Sequence, residues 1–219
     1  MEYLEPFCGV TVVPIKIIDN EIHVLLYKRI NSAEVFSDKY CFPNSFVHPQ
    51  DDFNIEETAI KALKTKTDVS EFSAFEQLKT YSGKDIDPRG WTMATGYLCL
   101  NAEEGSGEYF KASEAMDMEL SFNHSEILKD ALERVKNKAT YSHIGCYFLD
   151  DKFTLAELQK TYEILIGEKL DKSSFRKSLK TSQMVESLAG EFSKKQGRPA
   201  QLYKLSDGFR KNFFPKKIR

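Results

Sequence analysis

Charge is divided unevenly along this chain, and the division constrains its organisation more than any other feature. Residues 151–219 contain sixteen Lys/Arg against eight Asp/Glu, whereas residues 1–150 contain fifteen against twenty-five. The net charge of −2 therefore conceals a basic part of about +8 and an acidic part of about −10. A chain of 219 residues fits one large domain or two modest ones. The charge asymmetry favours two, and it points to nucleic acid as a partner of the basic one.

The basic part has the pattern of two short helices. A capping box of Thr154 and Glu157 precedes an apolar stripe that ends at Gly167, a residue type that commonly terminates helices. A second, shorter helix follows, and Ser173 or Ser174 can cap it. Two helices this close together predict a helix-turn-helix arrangement.

Two predicted strands follow these helices, over residues 183–188 and 201–205, and the loop Gly190–Ala200 lies between them. Helix, helix and stranded hairpin in this order predict a winged helix-turn-helix domain over residues 140–219. Such a domain places one helix in the major groove of double-stranded DNA and a basic hairpin on the DNA backbone. The candidate DNA contacts are Ser173, Ser174, Arg176, Lys177, Lys180, Lys194, Lys195, Arg198 and Tyr203.

Individual roles follow from the chemistry of these side chains. Arg176, Lys177 and Lys180 are predicted to point outward from the second helix, and the guanidinium of Arg176 can contact a guanine edge with two hydrogen bonds. The serines at the helix start can donate to phosphate. Arg198 lies between Gly197 and Pro199, a context that suits projection into a minor groove or onto phosphate. A solvated helix face and a plain exposed hairpin loop are the alternatives.

The acidic part alternates predicted strands and helices. The strands are predicted over residues 9–18, 22–29 and 91–100, and the helices over 54–66 and 123–138. The stretch 101–118 is acidic and contains Gly and Ser, which predicts a loop with an edge element. This mixture predicts an α/β domain over residues 1–139.

A motif in the acidic part resembles the Nudix signature. Pro43-Asn44-Ser45-Phe46-Val47 stands where Pro-Gly-Gly-Phe-Val is expected, and a helix with the same apolar frame follows. The acids that would bind metal fall on Ala62, Thr65 and Lys66. Nudix hydrolysis needs carboxylates that hold a divalent cation against the pyrophosphate. We therefore expect no enzyme activity, no metal site and no cofactor.

The whole chain, over about residues 8–206, resembles the Nudix-related transcriptional regulators of bacteria. The resemblance rests on 87–92 (DPRGWT), 122–124 (FNH), 139–142 (ATYS), 153–159 (FTLAELQ), 172–177 (KSSFRK) and 197–203 (GRPAQLY). It implies an α/β/α Nudix-like sandwich with a mixed sheet, joined to a C-terminal winged helix-turn-helix. It further implies a homodimeric repressor or activator whose effector is ADP-ribose, a related NAD metabolite or a sugar.

An effector pocket is expected near the degenerate turn. Its candidate residues are Lys28, Arg29, Tyr40, Asn44, Ser45, Phe46, Arg89 and Trp91. The three cations among them could form the anionic end of the pocket, or could be surface ion pairs. The aromatic side chains could stack on a ligand ring, and Trp91 could instead belong to the core.

Other classes of function leave weaker signals. The four cysteines and four histidines show no metal-ligand spacing. No apolar run approaches the length needed to span a bilayer, and the N-terminus lacks the pattern of a signal peptide, so we expect a cytoplasmic protein with no membrane partner. Two alternatives stay open: a divergent Nudix pyrophosphatase with a basic C-terminal appendage, and a basic module that binds an acidic protein.

Overall fold

The computed structural model describes residues 5–193 and 199–210, and the chain divides into two units, Met1–Leu132 and Glu133–Arg219. The division falls inside a helix, α3 (His124–Ala139), ahead of the domain boundary predicted between residues 139 and 140. No helix of the described ranges combines the length and apolar character that a membrane span requires.

The described residues of the first unit form one seven-stranded mixed sheet. Its strands are β1 (Phe7–Ile18), β2 (Glu21–Lys28), β3 (Tyr40–Cys41), β4 (Asn44–Phe46), β5 (Ala74–Asp87), β6 (Gly90–Leu100) and β7 (Glu108–Lys111). The order is β3-β2-β1-β6-β5, with β4 also paired to β1 and β7 to β2. β1 and β6 run parallel and the other pairs antiparallel. The predicted mixed sheet is confirmed.

Helices cover both faces of this sheet because side chains alternate along β1. Val10 and Val12 join the buried cluster that contains Leu63 of α1 (Ile55–Thr67). The intervening Thr11 points the other way, and its Oγ1 lies 3.5 Å from Nε2 of His124 at the start of α3. The layers are therefore α/β/α, as the resemblance implied. A short helix, α2 (Ala112–Asp117), follows β7 in the stretch predicted as loop and edge.

The motif helix α1 has defined ends. Asn54 caps it by accepting the backbone N–H of Glu57 at 2.8 Å. It ends at Asp68, which adopts the left-handed conformation with φ of 58°. The predicted helix over 54–66 is confirmed to within a residue at either end. These caps hold the last turn of α1, with Lys66, at a fixed position beside the sheet.

The second unit has the order of a winged helix. After a 3₁₀ turn at Ile144–Phe148, its elements are β8 (Phe153–Thr154), α4 (Leu155–Ile166), α5 (Lys172–Ser182), β9 (Val185–Phe192), β10 (Gln201–Leu205) and α6 (Asp207–Arg210). The strands form an antiparallel sheet in the order β8-β10-β9. Both predicted ends of α4 are confirmed: Thr154 and Glu157 form the capping box, and Gly167 ends the helix with φ of 80°.

Two details of this unit correct the sequence prediction. Asp171 caps α5, whereas a cap at Ser173 or Ser174 was expected; a carboxylate can accept the first amides of a helix at least as well as a hydroxyl. The strand expected from residue 183 begins at Val185, because Gln183 takes the left-handed conformation that ends α5.

Candidate nucleic-acid interface and effector site

Helix α5 is held against the second unit by its apolar side. Leu179 is buried, and the ring of Phe175 lies 5.6 Å from the ring of the buried Tyr162 on α4. The Tyr162 hydroxyl in turn donates to the carbonyl of Ser142 at 2.8 Å. This packing fixes the rotation of α5, so the opposite side of the helix must face solvent.

The solvent side of α5 carries the three predicted cations Arg176, Lys177 and Lys180, all exposed. None of them forms an ion pair or a side-chain hydrogen bond with another residue in the ranges that the structure describes. Three unneutralised cations on one helix side produce a positive surface, the electrostatic feature that phosphate binding requires. We call this set the α5 cation face.

Tyr203 of β10 lies beside the α5 cation face. Arg176, Lys180 and Tyr203 line one open groove of about 830 Å³, together with Ser187 of β9. Tyr203 reaches this position because β10 is the middle strand, paired with Ser187 on one side and Phe153 on the other. The structure thus brings predicted residues of helix and sheet together at one surface.

The two serines at the start of α5 interact with their cap. Ser173 donates its hydroxyl to Asp171 at 2.7 Å, and Ser174 donates its backbone N–H to the same oxygen at 2.8 Å. These bonds lower the pKa of Asp171 to about 2. A carboxylate charge therefore stands at the helix start at neutral pH. The phosphate contacts predicted for both serines remain predictions.

The wing residues Lys194, Lys195 and Arg198 lie outside the described residues, so their contacts also remain predictions. The base of the wing is described. Ser193 donates its N–H to the carbonyl of Ala200 at 2.8 Å, and the side-chain amide of Gln201 donates to the carbonyl of Glu191 at 3.0 Å. These bonds join β9 and β10 inside the predicted loop Gly190–Ala200, whose first residues belong to β9.

In the first unit, a cavity of about 250 Å³ opens at the meeting point of β1, β4 and the start of α3; we call it the effector cavity. Five of the eight predicted effector residues line it: Arg29, Asn44, Ser45, Phe46 and Arg89. Residues that the sequence prediction did not assign to it include His48, Lys66, Asp87, Phe122 and His124. The motif 122–124 contains two of these residues, Phe122 and His124, and could have indicated them. The sequence prediction considered Lys66 only as a position where a metal-binding acid was expected.

Arg89 is neutralised within this cavity. Its Nε and Nη2 donate to the two carboxylate oxygens of Asp87 at 2.9 and 2.7 Å, and its guanidinium lies 4.8 Å from the centre of the Phe46 ring. Burial alone would raise the pKa of Asp87, but the hydrogen bonds from Arg89 outweigh it and the pKa is lowered. The pair orders the cavity wall and leaves Arg89 with little free charge for a ligand.

Arg29 has no such partner. Its Nε donates to the carbonyl of Val35 at 3.0 Å, and its guanidinium lies 5.1 Å from the centre of the Phe122 ring. Among the residues that the structure describes, no carboxylate lies within ion-pair distance of it. Arg29 therefore keeps its charge available at the cavity wall.

His124 forms the polar floor of the cavity as a neutral group. Its Nδ1 accepts the backbone N–H of Phe42 at 3.0 Å, so Nε2 carries the proton and faces Thr11 Oγ1 and the Asn44 amide. Burial, reinforced by the charge of Arg29, lowers the pKa of His124 to about 3. His124 thus offers a hydrogen bond without a charge.

Three predicted effector residues lie elsewhere. The Lys28 ammonium lies 3.9 Å from the Asp38 carboxylate. Lys28 thus forms a surface ion pair, the alternative that the sequence left open for it. The Tyr40 hydroxyl donates to Glu108 at 2.9 Å. Trp91 is 45% exposed, so its alternative as a core residue is wrong. The structure places these three outside the lining of the effector cavity.

The residues at the expected metal position do not suit a divalent cation. Ala62 is buried, while Thr65 and Lys66 are exposed at the end of α1. Nowhere in residues 5–193 and 199–210 do three or more His, Cys, Asp or Glu side chains gather as metal ligands. Magnesium and related ions need carboxylate oxygens, which these positions lack. The donor set therefore does not fit the metal that the Nudix fold implies.

Comparisons with known proteins cover both units. Residues 145–205 match the family "NrtR DNA-binding winged helix domain". Over 215 residues the chain is 29% identical to the "ADPR responsive transcriptional repressor NtrR" of Acinetobacter baylyi, with 94% of this chain and 84% of that protein covered.

Two solved structures from Shewanella oneidensis are also similar. NrtR complexed with a 27mer DNA matches with a TM-score of 0.82 and 27% identity, over 97% of this chain and 99% of that one. The NUDIX domain of NrtR complexed with ADP ribose matches with a TM-score of 0.54 and 26% identity, over 60% of this chain and 90% of that one.

Proposed function

We propose that this chain, which has the architecture of the Nudix-related transcriptional regulators, binds operator DNA through its winged helix and senses a small effector in its Nudix-like unit. The α5 cation face carries the proposal. Its three cations are exposed and unpaired in the described ranges, while Leu179 and Phe175 pack α5 against the rest of the unit. Phosphate contacts supply most of the affinity of such proteins, and base contacts supply the specificity.

The effector is ADP-ribose or a related nucleotide. A relative over nearly the whole chain is named as ADPR-responsive, and a similar Nudix domain has been solved with ADP ribose. The effector cavity offers two aromatic rings, Phe46 and Phe122, and the guanidinium of Arg29, which has no carboxylate partner among the described residues. Rings can stack on a base, and the cation can face phosphate.

Regulation follows from linkage between the two sites. The protein acts as a homodimer whose two winged helices read two half-sites. Effector binding favours one arrangement of the dimer and so changes its affinity for DNA. Coupling of this kind amounts to about 1–3 kcal/mol, or about 5–150-fold in affinity.

Hydrolysis of the effector is not part of the proposal. Ala62, Thr65 and Lys66 cannot hold the cation that would activate water, so the effector leaves the cavity unchanged. Incubation of the protein with ADP-ribose and magnesium or manganese tests this directly. We expect no AMP to be released, and fast turnover would favour the pyrophosphatase alternative.

A shift assay on the promoter DNA adjacent to the chain's own gene tests the regulator. We expect specific binding that ADP-ribose changes and simple sugars do not. Arg176→Ala should weaken binding and relax sequence preference, while Lys64→Ala, an exposed lysine of α1, should have no effect. Equal affinity of parent and Arg176→Ala for specific and random duplexes would remove α5 from the interface.

A further inference from the structure

Two depressions of the first unit meet at the same pair of cations. The effector cavity is one of them, and the other is a shallow depression of about 570 Å³ lined by Tyr27, Ile30 and Ala33 among others. Arg29 and Lys66 belong to the walls of both. Arg29 and Lys66 therefore lie at the junction of the two depressions. The effector cavity, lined by Phe46 and Phe122, is on one side, and the depression lined by Tyr27, Ile30 and Ala33 is on the other.

Within the described part of the chain, no carboxylate neutralises the two charges at this junction. Of the other cations nearby, Lys28 lies close to Asp38, and Arg89 is bound to Asp87 and faces Glu34 at 3.6 Å. Arg29 and Lys66 have no carboxylate within ion-pair distance in the described part of the chain. The ammonium of Lys66 instead lies 6.0 Å from the centre of the Tyr27 ring.

Lys66 occupies a position where the Nudix motif would have a metal-binding acid. A lysine there puts a fixed positive charge in the region where that acid would hold a divalent cation. A lysine ammonium is a compact point charge suited to phosphate, and an arginine guanidinium can bind phosphate oxygens in pairs. The protein can therefore supply by itself the positive charge that a hydrolase takes from its metal.

We propose that Lys66 and Arg29 bind the diphosphate group of the effector directly, without a divalent cation. This inference rests on the proposed function and specifies its ligand class: a diphosphate that joins two ring-bearing ends. The diphosphate lies at the junction, one end enters the effector cavity beside Phe46 and Phe122, and the other covers the Tyr27 depression. A neutral monosaccharide lacks the anionic oxygens that this pair would bind, so we expect it to bind more weakly than a diphosphate.

Isothermal titration of the full chain with ADP-ribose, and separately with inorganic pyrophosphate, tests the inference. Each titration is made in metal-free buffer with EDTA and again with magnesium. The variants are Lys66→Ala, Lys66→Glu and the control Lys64→Ala, which changes an exposed lysine of the same helix outside both linings. Circular dichroism checks that each variant is folded.

The parent should bind ADP-ribose with the same affinity in EDTA as in magnesium, and the same should hold for pyrophosphate. Lys66→Ala should weaken both by about tenfold, the loss expected for one charge-assisted contact, and Lys64→Ala should not. Lys66→Glu should bind more weakly still in EDTA and recover in part with magnesium, because the new carboxylate can hold the ion.

Three results would overturn the inference: loss of parent binding in EDTA, parent-like affinity of Lys66→Ala, or no binding of either probe to the parent. A promoter shift assay run in parallel separates this failure from failure of the proposed function. If specific DNA binding persists while the anion site fails, the regulator stands and its ligand class is wrong.

Discussion

Replacing both lysines of the α5 cation face with alanine should change the salt dependence of DNA binding by a calculable amount. Each phosphate that a protein neutralises contributes about 0.9 to the slope of log affinity against log salt. Lys177 and Lys180 should therefore account for about 1.8 per winged helix, and about 3.6 when a dimer engages two half-sites. The measurement is fluorescence anisotropy of labelled operator DNA over a series of potassium chloride concentrations.

The structure makes this slope interpretable. Both lysines are exposed and have no partner among the described residues, so their removal leaves no unpaired charge behind and should not alter stability. Lys64→Ala is the matched control and should retain the parent slope. A change of about 1.8 would mean that one winged helix binds at a time. An unchanged slope in the double variant would refute the assignment of α5 to the phosphate backbone.

Three further predictions concern stability, followed by urea unfolding. Thr154→Ala should lose about 1 kcal/mol with its capping box, and Thr154→Ser should not. Gly145→Ala should lose about 1–3 kcal/mol, because its new Cβ would lie 2.6 Å from the Tyr162 ring; Gly208→Ala, which meets nothing within 4 Å, is the control, and equal midpoints would exclude the clash. Because burial lowers the pKa of His124 to about 3, the unfolded chain takes up its proton first. The free energy of unfolding should fall below about pH 6.5 by up to about 1.4 kcal/mol per pH unit, a dependence that His124→Gln should reduce; parallel pH curves would contradict it.

Much of the fold follows from local signals. Both ends of α4 are set by signals that act within one or two helical turns: the capping box of Thr154 and Glu157, and the terminating Gly167. The sequence therefore predicts where α4 begins and ends. The β-branched runs of β1 and β2 and the apolar spacing of α1 are equally local. These elements, in their order along the chain, are sufficient to predict an α/β unit followed by a winged helix.

Strand β5 was not predicted from the sequence because the order of its buried and exposed side chains depends on how it pairs with β6. Leu78 and Tyr81 are both buried although they lie three positions apart, an odd spacing that breaks the alternation of a regular strand. The pairing with β6 shifts between Gln77 and Lys79, and a bulge of this kind changes which side chains face the core. Only the paired strand reveals that this polar sequence is extended.

Composition and local periodicity were sufficient to predict an acidic α/β part and a basic winged helix, and the resemblance to the Nudix signature predicted that the metal-binding acids are replaced. The tertiary structure decided which charges remain available. It pairs Arg89 with Asp87 and brings Lys28 near Asp38, yet among the described residues no carboxylate pairs with Arg29 or Lys66 at the edge of the cavity. The reason is physical: residue type sets the charge of a side chain, but its neutralisation depends on groups within about 4 Å. Even near neighbours in sequence such as Asp87 and Arg89 reach that distance only because the turn between β5 and β6 brings their side chains together.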